Sequence, residues 1–203
     1  RAKLENDIVP RIMGMDSFDL ETIIMETIAP RTWGDLWAAA AIDLALWDLN
    51  GKALGVPVYK LLGGLSQRRM PVDYTLSEDT PAGMAAQAVE MAERGGFKAY
   101  SVKIGGGNDP DNDVARIRAV REAVGKDARI RADMNEAYDA DTAIKVIRAI
   151  EPYDVEFAEQ PVRAGDLDGL KKVAAAVDTP ISIDEGLRFL SDAIALAETG
   201  AVK

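Results

Sequence analysis

Apolar and polar residues recur along the first part of the chain at the spacing of helices. Residues 38–54 show this most clearly, because Ile42, Leu46 and Leu49 fall on one face at a period of about 3.6 residues. The pattern therefore predicts that residues 1–64 are helical, with one long amphipathic helix at 38–54.

From about residue 70 onward, short apolar runs alternate with amphipathic segments. The predicted strands are 71–76, 97–104, 128–134, 155–158 and 180–183, and the predicted helices are 81–94, 113–124, 141–150, 167–177 and 191–199. Strands that alternate with helices imply a parallel sheet with helical crossovers. Each strand–helix unit takes about 25 to 30 residues, which is typical of a (β/α) barrel. A complete barrel has eight such units, so the pattern predicts part of one.

A doubly wound open sheet is the competing architecture. Such sheets commonly carry a G-x-G-x-x-G phosphate loop where the first helix follows the first strand, and this sequence has none there. The three glycines at 105–107 are followed closely by Asp109, whose carboxylate would repel a pyrophosphate. The barrel is therefore the favoured prediction.

The composition excludes several functional classes. The 203 residues include 24 Lys and Arg against 34 Asp and Glu, for a formal net charge of -10, and neither Cys nor His. A disulfide framework, a thiolate or His-ligated zinc site and a Ser-His-Asp triad are thus excluded within this chain. The acidic balance argues against a nucleic-acid partner. The longest apolar run, 36–42, is far too short to span a membrane.

The chain begins at Arg1 without a charged-then-apolar leader and stops just past a predicted helix. We therefore expect it to be part of a larger protein, and we expect that protein to be cytoplasmic.

Acidic residues stand at the ends of three consecutive predicted strands. Asp133, Glu159 and Asp184 are each one structural unit apart, so on neighbouring barrel strands they would converge at the carboxyl-terminal mouth, where barrel active sites are found. Like charges raise one another's pKa, and Mg²⁺, a hard cation that prefers oxygen ligands, would resolve the repulsion. Asn135, two residues past Asp133, would point to the same side and hold a ligand in place.

Lys103 ends the preceding predicted strand at the equivalent position. A partly buried lysine beside a metal can have a lowered pKa and act as a base. A metal that chelates a substrate carboxylate would stabilise the enediolate formed when the α-proton leaves. Taken singly, a strand-end carboxylate is commonly a helix N-cap or a solvated charge, and a lysine is commonly a surface residue. All four at one register favour a proton-abstraction site.

Several short motifs occur together in this chain. They are AIDLALWDL at 41–49, GKALGVPVY at 51–59, LLGG at 61–64, FKAYSVKIG at 97–105, ADMN at 132–135, EQP at 159–161 and IDE at 183–185. In this combination the chain resembles the mandelate racemase/muconate lactonizing enzyme branch of the enolase superfamily. The resemblance implies an α/β fold, a TIM-type (β/α) barrel of modified β7α type that is here partial. Residues 1–66 would be the helical part of an α+β capping domain with its junction, and 67–203 the first five βα units of the catalytic barrel.

The same resemblance implies that Asp133, Glu159 and Asp184 bind Mg²⁺ and that Lys103 is a general base. The family's Lys-x-Lys motif carries Ser101 at its first position here. The positive charge that would help to lower the pKa of Lys103 is therefore missing. Ser101 would hydrogen-bond substrate or relay a proton, or it would be inert.

Supporting roles follow for three other residues of these motifs. Glu185 would orient the adjacent ligand or contact substrate, and Asn135 and Gln160 would hold the ligands in place. In the muconate-lactonizing-like subgroup an opposing lysine ends the sixth barrel strand. Lys203 would lie at the start of that strand, so the role is not assigned to it.

The function implied is Mg-dependent removal of a proton α to a carboxylate, with stabilisation of the enediolate. The outcome would be epimerisation or racemisation, dehydration or cycloisomerisation of a small carboxylic or amino acid. The alternatives are an acid-sugar or hydroxyproline-type dehydratase, which Ser101 slightly favours, and a non-catalytic partial-barrel fragment. The expected partner is a small-molecule carboxylate substrate, with no nucleic acid and no membrane, and the full-length protein is expected to be a homo-oligomer.

Overall fold

The structure, a computed structural model, describes residues 2–29, 32–107 and 109–202. The chain forms two compact units, Arg1–Met70 and Pro71–Lys203, whereas the sequence interpretation places its domain division slightly earlier, after residue 66. The first unit is helical and the second alternates strands with helices. Within the described ranges, none of the helices has both the length and the apolar character that crossing a membrane requires.

The first unit is built around one long helix. Its described residues, 2–29 and 32–70, form two π-helical segments, Leu4–Ile8 and Thr22–Ile28, and three α-helices, α1 (Val9–Ile12), α2 (Trp33–Leu54) and α3 (Val58–Leu61). Helix α2 begins earlier than predicted because Thr32 and Asp35 form a reciprocal capping box. It ends at Gly55, whose φ of 67° suits a glycine.

The apolar face predicted for α2 is only partly used within this unit. Ile42 and Leu46 pack against a small core. That core consists of Ile8, Ile23, Ile28, Ala38 and Ala39. Leu49 is 51% exposed, and its neighbour Asn50 is buried because it exchanges hydrogen bonds of 2.7 and 2.8 Å with Ser17. The predicted helix is confirmed, and Leu49 marks the place where its apolar face stops being covered.

Over residues 71–107 and 109–202, the second unit forms a five-stranded parallel sheet whose strands pair in chain order. The strands are β1 (Tyr74–Leu76), β2 (Ala99–Lys103), β3 (Arg129–Asp133), β4 (Val155–Glu159) and β5 (Ile181–Ser182), and the helices are α4 (Pro81–Gly95), α5 (Pro110–Val124), α6 (Ala140–Ile150), α7 (Leu167–Ala176) and α8 (Leu190–Thr199). Sequential pairing is typical of a barrel wall, whereas a doubly wound sheet reverses its strand order. The partial barrel is thus confirmed, and the doubly wound alternative is wrong for the part of the chain that the structure describes.

The two faces of this sheet differ in polarity. Tyr100, Val102, Ile130 and Ala132 are fully buried and share one core with helix residues such as Ile117. Because side chains alternate along a strand, the intervening positions lie on the opposite face. These are Ser101 and Lys103 on β2 and Arg131 and Asp133 on β3. One face of the sheet therefore packs with the helices in the apolar core, and the opposite face carries a row of polar side chains.

One arginine fastens α5 to the segments before β3 and β4. The guanidinium of Arg121 donates four hydrogen bonds of 2.7–2.9 Å to backbone carbonyls. The acceptors belong to Gly125, Ala128, Tyr153 and Asp154. The planar fork of arginine reaches such divergent acceptors, which the single ammonium of lysine does not. This contact therefore secures the chain at the end of the sheet opposite Lys103.

We predict that Arg121→Lys lowers the free energy of unfolding by about 2 kcal/mol, because four backbone carbonyls, two of them in partly buried contacts, lose their arginine donor. Urea unfolding followed by circular dichroism would measure the loss. The exposed Arg118 on the same helix provides the matched control, since Arg118→Lys should stay within about 0.5 kcal/mol of the wild type. Equal effects of the two substitutions would contradict a special role for Arg121.

Candidate active site

Three of the sequence-predicted site residues end paired strands. Lys103 at the end of β2 lies opposite Asp133 at the end of β3, and Asp133 lies opposite Glu159 at the end of β4. Glu159 in turn lies opposite Ser182, the last residue of β5, so Asp184 is two residues beyond that strand. The prediction that Asp184 closes its strand at equal register is therefore wrong, because the ladder of β5 is shorter than its apolar run.

Lys103 and Asp133 form a direct ion pair. The ammonium of Lys103 donates to Asp133 Oδ2, and the backbone N–H of Asn135 donates to Asp133 Oδ1 at 3.1 Å. Asp133 is only 2% exposed, so both carboxylate oxygens are satisfied inside the protein.

The neighbouring carboxylates determine the direction of the pKa shift of Lys103. Burial by itself would lower the pKa of Lys103, but the hydrogen bond to Asp133 and the negative charges of Asp133, Glu159 and Glu185 outweigh it and raise the pKa. In the absence of a cation this contact stabilises the protonated amine. The lowered pKa expected for Lys103 beside a metal stays a prediction.

The carboxylates around this lysine repel one another. Burial, followed by the charges of Asp133 and Asp184, raises the pKa of Glu159 to about 7, and the nearby Lys103 only partly opposes this. Burial and the charges of Glu185 and Asp133 likewise raise the pKa of Asp184. The carboxyl edge of the sheet therefore holds more negative charge than Lys103 can balance.

Gln160 holds the loop that carries Asp184. Its side chain is buried, and its Oε1 accepts the backbone N–H of Asp184 at 3.1 Å and that of Gly186 at 2.9 Å, while Nε2 donates to Val162 O at 2.8 Å. A Cβ at Gly186 would come within 3.0 Å of Ile183 and 3.3 Å of Gln160, so glycine permits this close approach. Gln160 is predicted to hold a metal ligand in place, and in the structure it holds the backbone of the loop that carries Asp184.

Asn135 connects the loop after β3 with the loop after β5. Its backbone has a φ of 41°, a region that few non-glycine residues adopt, and its Nδ2 donates to Glu185 Oε1 at 2.9 Å. The other oxygen, Glu185 Oε2, is buried without a hydrogen-bond partner. A buried oxygen without a donor is costly, and it suits a site that receives a cation.

These donors are of the kind that Mg²⁺ prefers, since they are carboxylate oxygens with an unbalanced charge. Among residues 2–29, 32–107 and 109–202, however, no three His, Cys, Asp or Glu side chains are close enough to hold a metal ion as they stand. Lys103 is bound to Asp133 instead. The donor chemistry therefore fits, and Mg²⁺ ligation by Asp133, Glu159 and Asp184 stays a prediction.

Ser101 is buried on β2, two residues before Lys103 and on the same face of the sheet. Its register partner on β3 is Arg131. The choice between a substrate contact, a proton relay and an inert residue stays open. Lys203 lies outside the described residues.

Arg131 is a residue of this face that the sequence analysis missed. It bonds Asp73 Oδ2 at 2.9 Å and Glu156 Oε2 at 2.8 Å, and its guanidinium carbon lies 5.1 Å from the ring centroid of Phe157. The signal available was the charge at every second position of β3, Arg129, Arg131 and Asp133. Such alternation marks a polar face beneath the site.

The fold and site together define a (β/α)-barrel catalytic-domain architecture with ionisable residues at its carboxyl edge. Two family descriptions match the chain: "Enolase C-terminal domain-like" at residues 83–203 and "Mandelate racemase / muconate lactonizing enzyme, N-terminal domain" at residues 1–63. The chain therefore belongs to the mandelate racemase/muconate lactonizing enzyme family of the enolase superfamily, which confirms the family predicted from the motifs.

The relatives of this chain are enzymes. It is 40% identical over 193 residues to the hydrophobic dipeptide epimerase of Enterococcus faecalis, covering 94% of this chain and 52% of the relative. It is 34% identical over 186 residues to the N-succinyl-L-Arg/Lys racemase of Bacillus cereus, covering 91% and 49% respectively. The crystal structure of the Enterococcus faecalis dipeptide epimerase with Mg and the dipeptide L-Leu-L-Tyr superposes with a TM-score of 0.83 at 39% identity, covering 96% of this chain and 54% of that one.

The chain spans about half the length of the curated relatives it matches. Other relatives are cycloisomerases, so the family reactions seen among them are epimerisation, racemisation and cycloisomerisation. The expectations of dehydratase activity, a cytoplasmic location, homo-oligomerisation and the lack of a nucleic-acid partner stay predictions.

We predict that the protein treated with a chelator loses stability as the pH rises from about 4.5 to about 7. The pKa of Glu159 is about 7 in the folded protein against an ordinary value of 4.5. The folded state therefore binds a proton that the unfolded chain has already released, and the stability that this proton supplies below pH 4.5 is lost as the pH passes the folded value.

Urea unfolding in the presence of EDTA at pH 5 and pH 8 measures this loss. In Glu159→Gln the fall in stability between the two pH values should be smaller than in the wild type. Glu93→Gln, which removes an exposed carboxylate on α4, should leave the fall unchanged. The prediction is wrong if the two variants behave alike.

Proposed function

We propose that this protein removes the proton α to a carboxylate of a small substrate, with Lys103 as the base and Mg²⁺ held by Asp133, Glu159 and Asp184. The observation that carries the proposal is the paired register at the carboxyl edge of the sheet. It places one lysine directly against a carboxylate within a cluster of repelling carboxylates. Few structural requirements of a barrel wall would place these charges together, whereas proton abstraction requires both a base and a site for a cation.

Lys103 can be protonated or neutral, and its surroundings decide which form it takes. In contact with Asp133, Lys103 is protonated, because the carboxylates raise its pKa. Bound among these carboxylates, Mg²⁺ would supply the positive charge that stabilises an enediolate and that competes with Lys103 for Asp133. Once Lys103 is released from Asp133, its burial favours the neutral amine, which is the form that accepts a proton.

Epimerisation or racemisation of a dipeptide or an N-acylated amino acid is the reaction we infer. Dipeptide epimerases and an N-succinyl amino-acid racemase are among the relatives that cover more than nine-tenths of this chain. Substrates of that kind carry a carboxylate that would bind the cation. The proton on the carbon next to that carboxylate is the one that Lys103 would remove. Ser101 stands on the same face two residues away, where it would contact substrate, relay a proton or stay uninvolved.

We predict that Lys103→Ala lowers α-proton exchange by about 1,000-fold or more, since the substitution removes the general base. Dipeptides and N-acyl amino acids in D₂O with Mg²⁺, followed by proton NMR, provide the measurement in the full-length protein. Lys98→Ala, at the exposed position before β2, is the matched control and should exchange normally. Exchange by Lys103→Ala at the wild-type rate would place the base elsewhere.

We also predict that Asp184→Asn weakens Mg²⁺ binding by about tenfold or more, because one anionic oxygen ligand is lost. Titration calorimetry with Mg²⁺ alone measures the affinity. Asp168→Asn removes an exposed carboxylate from the first turn of α7 and should bind Mg²⁺ as the wild type does. Unchanged affinity in Asp184→Asn would remove this residue from the ligand set.

A further inference from the structure

A buried carboxylate outside the candidate site lies beneath the loops that follow β1, β2 and β3. Asp113, on α5, is 1% exposed and accepts two side-chain hydrogen bonds. Arg116 donates to its Oδ1 at 2.7 Å, and the hydroxyl of Tyr138 donates to its Oδ2. Tyr138 belongs to the loop after β3, so this pair of contacts connects α5 with the chain that follows Asp133.

Arg116 extends the network to the loops after β1 and β2. Its Nε donates to the backbone carbonyl of Asp79 at 2.8 Å, and its Nη1 lies 3.6 Å from Glu78 Oε2. The other oxygen of Glu78 accepts the backbone N–H of Gly106, three residues past Lys103. Three consecutive loops are therefore joined through one buried ion pair.

Direct packing connects the loop after β2 with the loop after β3. Gly105 has a φ of 101°, and a Cβ there would overlap the Cβ of Ala137 and lie 3.1 Å from the carbonyl of Met134. Asn135 lies between those two residues and bonds Glu185. The segment that follows Lys103 therefore packs directly against the segment that carries Asn135, and no side chain fits between them at Gly105.

The energetics favour a rigid network over an adjustable one. Burying a charge without a partner is strongly unfavourable, so Asp113 requires both of its donors. Burial and the charge of Asp113 raise the pKa of Tyr138, so its hydroxyl stays a donor. An apolar residue in place of Asp113 would fill the space, but it would remove the hydrogen-bond acceptor of Arg116 Nη1 and of the Tyr138 hydroxyl.

We propose that Asp113, Arg116 and Tyr138 are positioning residues that set where Lys103 and Asn135 stand at the carboxyl edge of the sheet. This inference rests on the proposed function, since it concerns the placement of the proposed base. The three residues act through the loops and do not contact substrate. Removing one contact should therefore disturb the transition state more than substrate binding.

Tyr138→Phe is the sharpest test, because it removes one hydroxyl and keeps the ring. We expect kcat for α-proton exchange to fall by about tenfold with KM changed less than about twofold. We also expect faster hydrogen exchange at the amides of Gly106 and Ala137, measured by NMR. Arg116→Lys is the second variant. It keeps the positive charge but loses the planar guanidinium that bonds several acceptors at once, so it should show the same fall in kcat and the same faster amide exchange.

Tyr100→Phe is the matched control. Tyr100 is fully buried at the other end of β2, and its hydroxyl lies 3.0 and 3.1 Å from the carbonyls of Phe97 and Ala88. The Tyr100→Phe substitution should lower the melting temperature about as much as Tyr138→Phe does. It should leave kcat and the amide hydrogen exchange of Gly106 and Ala137 unchanged.

Equal losses of kcat in Tyr138→Phe and Tyr100→Phe, or no loss in Tyr138→Phe, would overturn the inference. If the wild type exchanges the α-proton of no substrate in the panel, the proposed function fails, and amide exchange alone decides the inference. Faster exchange at Gly106 and Ala137 in Tyr138→Phe, absent in Tyr100→Phe, then supports a loop-positioning network. Identical exchange in the two variants overturns it.

Discussion

Register between neighbouring strands is the constraint on which the candidate site depends. Parallel pairing sets Lys103 opposite Asp133 and Asp133 opposite Glu159, on the face of the sheet that turns away from the helices. The ammonium group of Lys103 therefore contacts Asp133 and also experiences the negative charge of Glu159 on the next strand. The pKa of Lys103 rises because its protonated form is attracted, and the pKa of Glu159 rises because burial and neighbouring charge disfavour its ionised form. A slip of one residue would turn a strand's charged side chains toward the apolar core.

The pairing of β3 with β4 keeps this register only because β4 carries an extra residue. The two-residue step from Ile130 to Ala132 is matched by a three-residue step on β4, which is a β-bulge. The bulge allows the adjacent residues Glu156 and Phe157 both to contact Arg131, although strict alternation would place them on opposite faces. An arginine with acidic and aromatic partners therefore lies beneath the site, while the end of β4 keeps its place opposite the end of β3.

Much of this arrangement could be predicted from the sequence, because buried parallel strands are marked by apolar runs and the charges stand where the runs stop. That reasoning identified the strands, the family motifs and three of the strand-end residues. It failed for Asp184, since an apolar run does not report where a hydrogen-bonded ladder stops at Ser182. The sequence also could not indicate the raised pKa of Lys103, which depends on the side-chain contact with Asp133. The contacts of Gln160 escaped it because they require a backbone conformation with a φ of 39°, which propensity does not assign to glutamine.

Backbone strain is concentrated in the loops that carry the site. Asn135, Glu136 and Gln160 have φ values of 41°, 67° and 39°, and each such residue costs about 1–3 kcal/mol. Their backbone N–H groups are held by Asp133 Oδ1, by the carbonyl of Gln160 and by the carbonyl of Ser182. Glycine would relieve the strain at each position, but it would remove the side chains that hold the neighbouring loops. The geometry of the site is therefore maintained against local preference by contacts between adjacent loops, and a loosened contact should let the loops relax before the strands separate.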